Sequence, residues 1–325
     1  MSMWAVLLTA VAHLLASMVC IVLLAGYAMP MGSITAVQSS SYFHLAMAAV
    51  TYPVLRFFVV APFGRHAATT TVRLALPASL SWALQECPTL LNVVYYILVE
   101  YPCHALNCSS GEWLRLVARD PLGRVAAVVA KGFGTLHIGL VFFVLHYVHR
   151  SLLYPLRVRQ GTPVPVHVTL SATLYCIFNG RLQLLANIRE NETEPRLPIT
   201  SLWRMLLCII GVAVFLAGMW VNIASDYYLL RLKSQLPRRA YKVPHGGWFE
   251  YVSCANFFGE IVEWCGYALL VWAAKPEAGL AACSFFVYVV ANLLPRGLAH
   301  HEWYQKQFGD AYAALRRRAV VPCVY

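Results

Sequence analysis

The stretch ANFFGEIVEWCGYALL, residues 255–270, is apolar enough to enter a bilayer yet carries Asn256, Glu260, Glu263 and Tyr267. Offsets of 4, 3 and 4 place these side chains on one face of a helix. An ionisable group inside a span costs several kcal/mol unless it faces protein or a water-filled cavity. A lone Asn there reads as interhelical glue, whereas two carboxylates on one stripe predict a functional cavity. Glu86, in WALQECP, is another intramembrane acid, and Pro88 just after it predicts an interrupted helix with the acid facing a pocket. The chemistry open to such acids is proton transfer, either in a buried enzyme site or in a proton-coupled transporter.

Further polar groups cluster where spans meet the cytosol. In LHYVHR, taken alone, His146, His149 and Arg150 read as an interfacial charge belt, and Tyr147 as an aromatic-belt residue. NIASDYYLLRLK carries Asp226 just past a span, with basic residues after it. RRAYKVPHGGWFEYV has a proline, paired glycines and aromatics, so it is a shaped loop leading into the 255–270 helix. PRGLAHHEWYQKQFGDAY gathers Arg296, His300, His301 and Tyr304. Together these segments can form one cationic mouth suited to a phosphorylated ligand. The paired histidines lack a third ligand at suitable spacing, so no metal site is expected. No GxGxxG precedes a βαβ unit, which excludes a Rossmann domain as the nucleotide site.

These residues must be positioned by membrane helices. Of 325 residues, 60% are apolar and 12% charged, against roughly a quarter charged in soluble domains. Apolar windows at 4–27, 44–61, 76–99, 124–147, 166–186, 203–224, 251–272 and 278–295 predict an all-α polytopic membrane protein. The first window lacks a basic n-region and a convincing cleavage site, so it reads as an anchor. Loops 62–75, 148–165, 225–250 and the tail from 296 hold fifteen Lys and Arg; the alternating loops 28–43, 100–123, 187–202 and 273–277 hold five. That asymmetry puts the first set and the C-terminal tail in the cytosol. It also accounts for the formal charge of +11 without a nucleic-acid partner. Sequons at Asn107 and Asn191 fall on the other side. Cys103 and Cys108 share one of those loops and can pair or remain free. No CxxC motif signals a redox site.

In combination and order, APFGRHA, LPASLSWALQECP, LHYVHRSLLYPL, NGRLQ, NIASDYYL, YKVPHGGWFEYVSCANFFGEIVEWCGYAL and HHEWYQKQFGDAY resemble the steroid 5α-reductase family, the 3-oxo-5α-steroid 4-dehydrogenases. The likeness runs from about residue 61 to the C-terminus. It implies a seven-helix transmembrane reductase core holding NADPH, with a lipophilic 3-oxo-Δ4 steroid or sterol arriving from the membrane lipid. By this resemblance Glu86 and Tyr147 hold the substrate's C3 carbonyl as the catalytic pair, and Trp82 and Trp264 wall the substrate and nicotinamide region. The family's cofactor positions match Arg150, Tyr154, Asn222, Asp226, Lys233, Tyr241 and Lys242, then Asn256, Glu260, Arg296, His300 and Tyr304. Residues 1–43 read as an extra N-terminal hydrophobic helix and linker, and 44–325 as the reductase domain, monomeric in the endoplasmic reticulum membrane. Three positions depart from the family pattern: Phe63 stands for Tyr, Lys242 for Arg and Ser171 for the Arg of animal members. Lys cannot reproduce a bidentate phosphate clamp.

The implied reaction is hydride addition at C5 of an enone and protonation at C4, with charge developing on the C3 oxygen. A donor held in a dry site stabilises that charge far better than one in water. Tyr147 is the expected donor, and Glu86 can donate too if it is protonated. Two other readings compete: a related membrane reductase acting on an enoyl-CoA or polyprenol, and a proton-coupled transporter. The transporter reading leaves the cytosolic Arg, His and Tyr cluster unexplained.

Overall fold

A computed structural model describes residues 33–61, 74–120, 122–158, 161–188, 201–237 and 240–324. The apolar window at 4–27, Phe63 and the sequon at Asn191 lie outside them. Almost everything described is helix. Ser33 caps α1 (Ile34–Pro53) by accepting the Ala36 N–H, and the helix continues as a π segment over Val54–Phe58. α2 (Ala78–Tyr95) likewise runs into a π segment, Tyr96–Glu100. The predicted loop at 100–123 is largely helical: α3 (Tyr101–Leu106) and α4 (Ser110–Arg119) lie within it. α4 begins at a reciprocal Ser109–Glu112 capping box.

The apolar window 124–147 is not one span. α5 (Arg124–Gly134) ends where the Thr135 hydroxyl donates to the Gly132 carbonyl, and His137 adopts an extended conformation. The membrane helix starts at α6 (Ile138–Val148) and continues through a π segment, His149–Leu153, into α7 (Tyr154–Arg157). Hydropathy alone merges α5 with α6, because a polar break of three residues is lost inside an averaging window. α8 (Val166–Ala186), α9 (Leu202–Ser234), α10 (Ala255–Ala274) and α11 (Pro276–Ala313) complete the bundle. α11 passes straight through Pro295, well beyond the predicted end at 295, and kinks at Gly309. Among the described residues, four helical stretches are long and apolar enough to cross a membrane: Ile138–Arg157, Leu202–Ser234, Ala255–Ala274 and Pro276–Ala313. α9 turns Ile209, Leu216 and Trp220 outward, as a lipid-facing helix does. The one described sheet is a short antiparallel pair, β1 (Ala75–Leu76) against β2 (Val164–Pro165), which ties the starts of α2 and α8 together.

Two contacts hold the centre. α9 and α10 run antiparallel with their backbones touching, and the enabling residues are glycines spaced seven apart on each: Gly211 and Gly218, Gly259 and Gly266. A Cβ at Gly218 would fall on the Glu263 backbone, and one at Gly259 on the Asn222 backbone. Small residues allow such approach between helices in lipid, where packing rather than hydrophobicity drives association. Around this pair lies an aromatic core of Phe143, Phe215, Trp264, Tyr267 and Phe285, with the Trp264 and Phe285 rings 4.4 Å apart.

In the segment between α9 and α10, Gly246 and Gly247 take φ of 91° and 56°, which only glycine adopts without strain. Their turn is clamped by the C-terminal tail. Arg317 donates to the Pro244 carbonyl (2.6 Å) and to Glu250 (3.3 Å), and Ser253 N–H donates to the Arg318 carbonyl (2.8 Å).

Gly218→Leu is expected to abolish the folded, monodisperse protein in detergent, because the clash is with backbone that cannot move aside; size-exclusion profiles check this. The Gly246 N–H, then Arg317 and His245, hold the Glu250 carboxyl below its usual range. The clamp is therefore whole above the ordinary glutamate value of about 4.3 and is lost as pH falls through the lower folded-state value. Amide exchange of residues 244–250 should accelerate on acidification, and in Glu250→Gln it should already be fast at neutral pH.

Candidate active site

α2 carries the first acid. Pro88 sits inside the helix rather than ending it, contrary to the sequence expectation. Proline strips the hydrogen bond from the carbonyl four residues earlier, and here the Thr173 hydroxyl of α8 lies 3.1 Å from that Leu84 carbonyl, sharing its proton with the Thr169 carbonyl of its own helix (2.8 Å). The helix stays continuous, and Glu86, just before the proline, faces a cavity of about 900 Å³ as expected. Cys176 of α8 donates its thiol to Glu86 Oε2 (3.7 Å).

The α6–α7 segment supplies the opposite wall. The π segment buries three consecutive residues, His149, Arg150 and Ser151, so the charge-belt reading of 146–150 is overturned. His146, Tyr147 and Arg150 are all buried. His146 Nδ1 lies 2.8 Å from Glu263 Oε1. Glu263 thereby bridges α10 to α6, while Glu260 lines the cavity. Trp264 packs its ring 4.5 Å from His146 and 6.1 Å from Tyr147. Tyr147, Glu86, Trp82 and Trp264 line one and the same cavity.

A charged cluster adjoins them. Arg150 donates to Asp226 Oδ2 (2.6 Å) and to Glu260 Oε2 (3.4 Å). Its guanidinium lies over the rings of Trp82 (5.0 Å) and Tyr154 (4.9 Å). Asn256 donates to Asp226 Oδ1 (2.9 Å), and Asn222 donates to the Asn256 carbonyl (2.9 Å) and to Glu260 (3.4 Å). One cation and two anions are thus fastened by two amides. Arg296 reaches the same cavity from α11, donating to Asn292 (2.8 Å).

The structure gathers Trp82, Glu86, Tyr147, Arg150, Tyr154, Asp226, Asn256, Glu260, Trp264 and Arg296 around this space. Asn222 stands behind the wall. The other predicted residues lie outside the cavity lining. Lys233 donates to the Ala240 carbonyl and lies 4.4 Å from the Tyr241 ring, which packs on Trp303. Lys242 is exposed. Tyr304 stacks on Tyr312, and His300 packs beside Phe257, a cavity residue. The sequence reading missed Tyr175, Cys176, Tyr288 and Asn292, all of which line the cavity. Tyr288, Asn292 and Arg296 recur every four residues along α11, a polar stripe visible in FFVYVVANLLPR.

A predominantly helical membrane protein whose helices surround a cavity lined by acids, phenols and guanidinium groups has the makings of an enzyme embedded in the bilayer. A family model described as 3-oxo-5-alpha-steroid 4-dehydrogenase matches residues 162–325. The chain is 33% identical to steroid 5-alpha-reductase DET2 of Arabidopsis thaliana, covering 84% of this chain and 90% of that protein. It is 32% identical to 3-oxo-5-alpha-steroid 4-dehydrogenase 1 of Bos taurus, over 85% and 93% of the two chains. To the Homo sapiens protein of that name it is 34% identical, over 81% and 86%. The chain belongs to the steroid 5-alpha-reductase family and is an oxidoreductase.

Removing Arg150 would leave the buried Asp226 and the half-buried Glu260 without their shared cation. Arg150→Met is expected to cost about 3–5 kcal/mol, and adding Asp226→Asn to recover part of the loss. Thermal unfolding in detergent measures both, and a Tm equal to wild type in the single variant would refute this role.

Proposed function

We propose that this oxidoreductase reduces the Δ4 double bond of 3-oxo-Δ4-steroids to 5α-steroids with NADPH as the electron donor. The observation that carries the reading is the shared cavity: Glu86 and Tyr147 line it together with the Arg150–Asp226–Glu260–Asn256 cluster, and Trp264 packs beside Tyr147. At about 900 Å³ it is near the top of the range for small-molecule sites.

The residues present fit a phosphorylated dinucleotide. Asp226, Glu260 and Asn256 supply acceptors and a donor of the kind that holds ribose hydroxyls and a carboxamide. Arg296 brings a guanidinium to the cavity, and Lys233, Lys242 and His300 are basic groups on the cytosolic side for phosphates. Arg150, Tyr154, Asn222, Tyr241 and Tyr304 position these groups. When bound, NADPH supplies the hydride that adds to C5. Tyr147 donates its hydroxyl proton in a hydrogen bond to the C3 oxygen, and Glu86, when protonated, is a second donor. Charge gathering on that oxygen is met by donors fixed in place beside Trp82 and Trp264. C4 then takes up a proton.

The same reading takes α1, α2, α6 with α7, α8, α9, α10 and α11 as the seven-helix core of a reductase domain; α1 already starts at Ile34, so the domain begins there rather than at the expected residue 44, with the added hydrophobic helix and linker before it. Charge asymmetry of the loops supports a cytosolic tail, and the family reading supports a monomer in the endoplasmic reticulum membrane.

Glu86→Gln and Tyr147→Phe should each lower turnover by about 10²–10³-fold while NADPH binding, followed by quenching of tryptophan fluorescence, persists. Wild-type rates in both would sink the assignment. NADPH oxidation by purified protein should occur with testosterone, progesterone or a Δ4-cholestenone; turnover only with a polyprenol or an enoyl-CoA would overturn the substrate class.

A further inference from the structure

Glu263 and His146 form a buried pair that the proposed reaction leaves idle. Glu263 is fully buried, and among the described residues the only basic group within ion-pair distance of it is His146, whose Nδ1 lies 2.8 Å from Oε1. The contact of α9 with α10 fixes where Glu263 stands, because its backbone lies against Gly218. The second carboxyl oxygen, Oε2, is buried without a hydrogen-bond partner among the described residues. His146 lines the cavity together with Tyr147 and Glu86. Its Nδ1 is turned to α10, so Nε2 is the nitrogen open to an occupant.

The protons on this pair can be counted. A net charge buried without a counter-charge is strongly disfavoured, so the pair is neutral overall and holds two protons. One lies in the bond between Nδ1 and Oε1, whichever atom owns it. The other has two places, Oε2 or Nε2. Oε2 has nothing to donate to, so the second proton sits on Nε2 and faces the cavity. The His146 ring lies 5.1 Å from that of Tyr147, which sets this N–H beside the group assigned to the C3 oxygen. On the α8 wall the protons are committed elsewhere. Cys176 gives its own to Glu86. Ser284 donates to the Ala281 carbonyl, so His44 Nδ1 donates to Ser284 and His44 Nε2 accepts from Tyr175.

We propose that His146, oriented by Glu263, is the acid that protonates C4. This inference rests on the reading of Glu86 and Tyr147 as the pair at the C3 oxygen, from which C4 is two bonds away. Hydride from NADPH bonds to C5, and the electrons of the C4–C5 double bond pass into the enolate. The enolate then takes the Nε2 proton: the C4–H bond forms and the N–H bond breaks. The pair is left with one negative charge as NADP+ gains a positive one, so the net charge of the cavity is unchanged. Water returns the proton to Nε2 once product leaves. Glu263 is a positioning residue, which holds the ring and keeps the proton on Nε2.

A group that gives C4 a proton can also take it back, so the test needs no hydride transfer. Detergent-purified protein with NADP+ is incubated in D2O with the saturated 3-ketone formed from testosterone, and deuterium at C4 and C2 is read by NMR. Both positions flank the carbonyl, yet wild type should exchange C4 about tenfold faster than C2. His146→Gln and Glu263→Gln should each abolish that preference. With testosterone and NADPH they should lower kcat about 10²-fold and about tenfold, with KM and NADPH quenching of tryptophan fluorescence nearly unchanged. Glu263→Gln keeps an oxygen for Nδ1 and guards against misfolding of His146→Gln. Equal exchange at C4 and C2 in wild type, or a wild-type C4 preference in either variant, would overturn the inference while leaving Glu86 and Tyr147 in place. If Glu86→Gln and Tyr147→Phe keep wild-type turnover, the underlying reading falls instead.

Discussion

A cation buried among membrane helices must bring its own counter-charges, and the arrangement of this protein depends on how Arg150 meets that demand. Its guanidinium lies between two aromatic rings and two carboxylates, drawn from helices far apart in sequence. Arg150 comes from the π segment after α6, Asp226 from the end of α9 and Glu260 from α10. Trp82, from α2, closes the assembly. The desolvation of one charge thus ties together four helices that the chain connects only through long excursions.

The geometry of that tie depends on the contact between α9 and α10. Glycines at matching intervals let the two backbones touch, so Asp226 and Glu260 are carried at fixed separation and Asn222 can reach across to the Asn256 carbonyl. Bulkier residues would move the carboxylates apart, and Arg150 could no longer contact both. Backbone packing and electrostatics are therefore not separate layers of this fold. The glycines set the distance at which the charges are satisfied.

Hydropathy windows locate most of the long helices because averages over about twenty residues respond to what lipid requires. The same averaging hides the break at residues 135–137 and joins α5 to α6. Asn256, Asp226 and Glu260 are legible because polar groups on an apolar helix have few explanations. Arg150 and His146 are not legible from local pattern. A basic residue near the end of a span ordinarily snorkels to the interface, and only the neighbours supplied by α9 and α10 make burial tolerable. Pro88 misleads for a related reason: the hydroxyl that repairs the helix belongs to Thr173, on another helix.

The π segment at His149–Leu153 has a bearing on how this family can vary. A π turn is an α-helix that has accepted one extra residue, and each residue in a helix rotates the next by about 100°. Side chains within 149–157 that make no contact with the charged cluster can be exchanged one at a time with graded effects. A change of length there, by even a single codon, would swing every later side chain of the helix to a new face and leave Tyr154 directed away from the guanidinium. Lineages descending from this sequence are thus held in register at this point, and at Arg150 in identity as well.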